Sequence, residues 1–139
     1  MSLDLHFFKK DVDFHQIRRS LDDLNEKRQA IKDEIERLED EYEDAKLSSH
    51  NITHDLNKMA EAVGLYKILW YPEEIGITSA SQMIVPIEKA IKELEANPDK
   101  YKTYNPPNGW GNFDIFVGFC KSVLRTCQEN PDAVIEAGR

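Results

Sequence analysis

A chain of 139 residues carrying 26 acidic and 18 basic side chains, a net charge of −8, is sized for one domain. That balance argues against a general nucleic-acid binder, whose affinity comes from clustered Lys and Arg displacing counterions, and it disfavours an anionic membrane surface. No apolar run reaches the ~18 residues of a membrane span. The opening residues 1–6 also lack the basic and apolar regions of a signal peptide, so a cytoplasmic protein is expected.

Leu3, Leu5 and Phe7 alternate with Asp4, His6 and Phe8. A period of two predicts a short strand over 2–8. Asp11 or Asp13 is then placed to cap a helix.

From Phe14 to Ala45 the chain carries an unbroken heptad repeat. Phe14, Leu21, Arg28, Ile35 and Tyr42 take the a positions; Ile17, Leu24, Ile31, Leu38 and Ala45 take the d positions. A helix of this kind needs a partner for its apolar seam. Phe14, Ile17, Leu21, Leu24, Ile31, Ile35, Leu38 and Tyr42 are therefore expected at an interface, and a homo-oligomer is the expected assembly. The flanking charges bear on orientation. A parallel, in-register pair sets Lys27 against Lys32 and Glu34 against Glu39, both repulsive, although Asp13 with Arg18 and Glu41 with Lys46 attract. Antiparallel packing can bring Lys27 near Glu34 and Lys32 near Glu39, so it is favoured, against a second copy or against the chain's own C-terminal helices. Arg28 on the seam costs stability but can fix register.

Ser48 to Asn51 breaks the helical pattern. A second helix is predicted from about Thr53 to Val63, stopped by Gly64. Residues 65–70 are apolar and aromatic, either a continuation of helix or a short buried segment, and 71–76 read as a loop. Ser79 is a candidate cap for a third helix reaching Ala96, kinked or delayed by Pro86. Asn97-Pro98-Asp99 ends it. Residues 105–111 (Asn-Pro-Pro-Asn-Gly-Trp-Gly) are turn-forming. A fourth helix follows from about Phe113 to Gln128. Ala133 to Ala137 reads as a final short strand.

The expected fold is therefore α+β and predominantly helical, with a short sheet made by the two terminal strands. A single domain is expected over 1–139, with 12–46 a coiled-coil-like arm and 48–139 the globular part. Cys120 and Cys127, seven apart on one helix, lie about 10 Å apart along its axis, too far to bond to each other, and read as buried thiols.

Three polar and aromatic clusters stand outside the packing pattern. In Asn51-Ile52-Thr53-His54-Asp55, Asn51 or Thr53 can cap the helix, and the helix start disfavours a charged imidazole at His54 while offering N–H groups to an anion. In Trp70-Tyr71-Pro72-Glu73-Glu74, one carboxylate would become a general base only if buried. In Asn108-Gly109-Trp110-Gly111, the two glycines allow a sharp turn that presents Trp110 for stacking on a ring. No phosphate loop, dinucleotide fingerprint, nucleophile elbow or paired-Cys metal pattern is present. No catalytic residue, metal or cofactor is expected.

Together these segments resemble a small, largely uncharacterised family found in bacteria and their phages. The resemblance is carried by Asn51-Ile52-Thr53-His54 with Leu56 and Lys58-Met59-Ala60, by Leu69-Trp70 with Pro72-Glu73-Glu74-Ile75-Gly76, by Asn108-Gly109-Trp110-Gly111, and by Arg139. It covers residues 1–5 and roughly 48–139, so the heptad helix looks like an elaboration. Asp55 and Tyr71 depart from the family pattern, which expects Asn and a basic residue; both departures weigh against anion binding there. The resemblance groups Asn51, His54, Trp70, Glu74, Asn108, Trp110 and Arg139 as one expected ligand-binding set. The leading functional expectation is a non-enzymatic binder of a small polar, ring-containing ligand, such as a phage counter-defence protein sequestering a nucleotide-type signal. The alternative is a coiled-coil interaction module that oligomerises or inhibits a bacterial protein. A third expectation is a small hydrolase using His54 with Glu73 or Glu74.

Overall fold

The computed structural model describes residues 2–139. It divides into two compact units, one running to Lys46 and the other from Leu47 to Arg139.

The first unit is built on one long helix, α1 (Phe14–Ala45). Asp13 is the cap: its carboxylate accepts from the Gln16 N–H at 3.1 Å. Phe8 stacks on Phe14 with ring centroids 4.2 Å apart. Thirty-two residues at 1.5 Å each make a rod about 48 Å long. No residue of α1 is buried. Its helical form is supported locally by ion pairs one turn apart, Lys27 with Asp23, Arg37 with Glu34 and Glu41, and Lys46 with Glu43. Exposed one-turn pairs of this kind are weak supports.

The second unit is a small helical domain. After a 3-10 turn (His54–Leu56) come α2 (Asn57–Ala62), α3 (Tyr66–Trp70), a second 3-10 turn (Pro72–Ile75), α4 (Ser81–Ala96), α5 (Pro98–Lys102) and α6 (Phe113–Glu129). The α4–α6 pair is the principal packing of the unit. Leu56, Met59, Ile87, Leu94, Phe116 and Cys120 are fully buried in its core. Tyr101 joins them, and its hydroxyl donates to Glu93 at 3.0 Å, which leaves a buried aromatic with its polar end satisfied. Pro98 starts α5 rather than merely ending α4, because its missing N–H costs nothing in a first helical turn. Pro86 lies within α4, which starts at Ser81 and runs through it.

The expected terminal sheet does not form. Residues 2–8 are not a strand, and Leu3, Leu5 and Phe7 are 70–92% exposed. Among the described residues the only β pairing is one isolated antiparallel bridge, Ser79 with Val134. The reason lies in where the backbone groups of 131–135 go. The carbonyls of Ala133 and Pro131 accept from the N–H groups of Ala80 and Ser81, both at 2.9 Å. Those donors belong to the first turn of α4, which has no intrahelical acceptors for them. The segment read as a strand thus serves as a backbone cap for α4. The fold is all-helical rather than α+β.

Cys120 and Cys127 are both free and buried on α6. Burial pushes the Cys120 thiol up to about 12 and raises that of Cys127 as well.

Candidate functional site

Two features of the chain are candidates for function, one in each unit. In the first unit it is the α1 seam. Every expected interface residue lies on one stripe, and Ile17, Leu21, Leu24, Ile31, Ile35, Leu38 and Tyr42 are 49–62% exposed. Phe14 is half-buried. Over about nine turns these large apolar side chains form one continuous stripe left half in water.

In the second unit the candidate is a chain of polar and aromatic contacts that begins at the His54–Leu56 turn. The Thr53 hydroxyl caps that turn, accepting from the Asp55 N–H. His54 follows, and its Nδ1 accepts a hydrogen bond from the Trp70 indole N–H at 2.8 Å. Nδ1 is therefore bare, and the ring proton sits on Nε2. Trp70 is 7% exposed and stacks on Tyr66 at 5.6 Å. The Trp70 carbonyl in turn accepts from the Arg139 guanidinium at 2.7 Å. Arg139 also pairs with Glu73 and lies over the Tyr71 ring, 4.4 Å from its centre. The Glu73 carboxyl is held below its usual range by its own backbone N–H and then by Arg139. The Tyr66 phenol is raised, first by its hydrogen bond with Tyr71 and then by burial and neighbouring carboxylates.

The same turn holds the Trp110 loop. Asn108 donates through Nδ2 to the Asp55 carboxylate at 3.3 Å, while its Oδ1 accepts from the Trp110 N–H at 2.9 Å. Gly111 has φ +92°, and a Cβ there would stand 2.9 Å from both Leu56 Cδ1 and Thr53 Cγ2. Only glycine lets the loop sit this close to the turn. Trp110 is left 68% exposed on a braced backbone.

Five of the seven expected ligand-binding residues are thus linked through one turn: His54, Trp70, Asn108, Trp110 and Arg139. Asn51 and Glu74 are exposed, and neither takes part in these bonds. Of the two adjacent carboxylates, the one paired with Arg139 is Glu73, on the 3-10 turn after Tyr71, and not the expected site residue Glu74. Sequence reasoning also left out Asp55 and Tyr66; the Tyr66–Trp70 spacing of four was the available signal. Trp70 is buried, stacked on Tyr66 and bonded through its indole N–H, so it holds the cluster together and presents no open face for stacking. No group of three or more metal-ligating side chains occurs among the described residues. No helix among them is long and apolar enough to cross a membrane.

No protein-family model, no curated protein and no solved structure matches the chain.

Proposed function

We propose that this protein is a non-enzymatic interaction module that self-associates through α1. The observation that carries the reading is the exposed seam: ten heptad positions, nine of them apolar, on a helix with no buried residue. In proteins a long helix draws most of its stability from packing an apolar face, and exposed one-turn ion pairs are too weak to replace that packing. A partner for the seam supplies it. Sedimentation velocity across a dilution series tests this. A species of twice the chain mass that dissociates on dilution supports it; a monomer at every concentration, still helical over α1, overturns it.

A second reading is favoured by Trp110. A large, exposed aromatic face on a backbone braced by Asn108 and Gly111 suits stacking on a planar ring, with Asn108 and Asp55 beside it as hydrogen-bonding groups. This narrows the expected small-ligand site to Asn108, Trp110 and Asp55, and a nucleotide-type signal remains the ligand class to try first. Titration of the protein with nucleosides and nucleotides, read by Trp fluorescence, tests it. Quenching lost in Trp110→Ala and kept in Trp70→Phe supports the reading. Quenching that persists in Trp110→Ala removes it.

A further inference from the structure

We propose that α1 pairs with a second copy of itself antiparallel, in the single register that overlaps the whole seam. This rests on the self-association proposed above and specifies its geometry.

The first observation is a charge gradient along α1. Residues 14–29 carry four basic and three acidic side chains, a net +1; residues 30–45 carry two basic and eight acidic, a net −6. A parallel pair lays the two strongly acidic halves side by side. An antiparallel pair lays each acidic half on the slightly basic one, and like charges in contact are what disfavour the wrong arrangement.

The second observation is register. In an antiparallel pair each a residue packs against a d residue of the other copy. The seam runs from an a position, Phe14, to a d position, Ala45, so complete overlap is available: Phe14 meets Ala45 at each end, and Arg28 meets Ile31 in the middle. Every seam position then finds a partner, and the pairing is isologous and closed.

The flanking charges select the same register independently. There Lys27 faces Glu34 of the second copy and Arg18 faces Glu39, each twice by symmetry. Ser20 faces Glu41 and Asn25 faces Lys32, which are neutral contacts. No like charges meet across these flanks. The Lys32–Glu39 contact that antiparallel packing can allow is absent from this register, and Arg18 takes its place. Sliding one copy by a heptad one way sets Lys32 on Lys32 and Glu34 on Glu34. Sliding it the other way sets Lys27 on Lys27 and Arg18 on Lys32. The one unfavourable feature is at the centre, where the two Arg28 residues occupy neighbouring layers. Their side chains are long enough to carry the charge out to solvent while the stem packs.

Charge reversal tests orientation by sign. In the antiparallel register, K27E and E34K each turn two attractive contacts repulsive, and each raises the dimer Kd about tenfold. In a parallel pair the same substitutions face Lys32 and Glu39 with opposite charges and tighten the dimer. The double variant K27E/E34K restores the antiparallel homodimer, and an equimolar mixture of the two single variants forms a heterodimer of near-native affinity. The mixture also covers the case in which a single variant loses helix on its own, because antiparallel pairing returns it. Sedimentation equilibrium with far-UV circular dichroism reads all four samples. Weakened singles with a rescued double variant and mixture support the proposal. Tightened or unchanged singles, or a mixture that is not rescued, overturn it while leaving self-association standing. A native chain that stays monomeric overturns both.

Discussion

The two units hold their helices in opposite ways. In α4 and α6 the helices exist because each buries a face: Phe116, Ile87 and Leu94 are fully out of water, and short-range ion pairs are incidental. In α1 nothing is buried, and the visible support is a ladder of exposed one-turn salt bridges. The same 3.6-residue period thus produces a folded core in one unit and an uncovered stripe in the other. An amphipathic pattern fixes that a face will be buried. The rest of the chain decides whether it already has been.

The sharpest way to separate the units is to break one core. Phe116→Ala removes a fully buried ring and is expected to cost about 3–5 kcal/mol. Urea unfolding followed by Trp fluorescence will show an early transition in the second unit, because Trp70 and Trp110 both report from there. Concentration-dependent association through α1 should persist. The converse variant, Leu24→Ala with Ile35→Ala, should leave Trp fluorescence and its midpoint untouched. It should weaken self-association by about 2–4 kcal/mol, since those residues face each other in the proposed antiparallel register. Were α1 monomeric, removing side chains that are 59% and 51% exposed would change stability by no more than about 0.5 kcal/mol.

Smaller effects sharpen the comparison inside the second unit. Gly111→Ala combines a positive φ with a contact at 2.9 Å on the buried Leu56, for an expected loss of about 1–2 kcal/mol and a shift in Trp110 emission. The mildest test is acid. Glu73 has a lowered folded-state pKa, so its contribution is present above the unfolded value and is lost as pH falls through the folded one. The Arg139 tether to Tyr71 should therefore loosen below the ordinary carboxyl value of 4.5, seen as a shift of the Tyr71 ring resonances that Glu73→Gln abolishes.

What the sequence made readable follows from the range of the interactions. The bounds of α1 were legible to the residue, because a heptad repeat and an Asp13 cap are local signals. The third and fourth helices were readable within two residues from their apolar periodicity, although Ala80 and not the expected Ser79 stands at the N-cap of α4, with no side-chain cap. The terminal strands were misread because alternation predicts an extended segment without supplying a neighbour, and the carbonyls of Pro131 and Ala133 were already taken by the start of α4. α5 was hidden because Asn-Pro reads as a stop from one side and as a helix start from the other. At the candidate site, composition singled out the odd residues, but not their bonds. His54 and Trp70 are 16 positions apart, Asn108 and Asp55 are 53, and Arg139 and Trp70 are 69. No periodicity reaches that far.

Cys120 and Cys127 give the second unit a built-in clock. Both thiols are buried on α6, so a disulfide reagent reaches them only when the helix around them opens, and burial also raises both thiols and so disfavours the attacking thiolate. The rate at which the two sulfurs are modified in the native protein therefore measures how often α6 leaves the core, residue by residue, with no label introduced. Because α1 contains no cysteine, the same clock is silent about the arm.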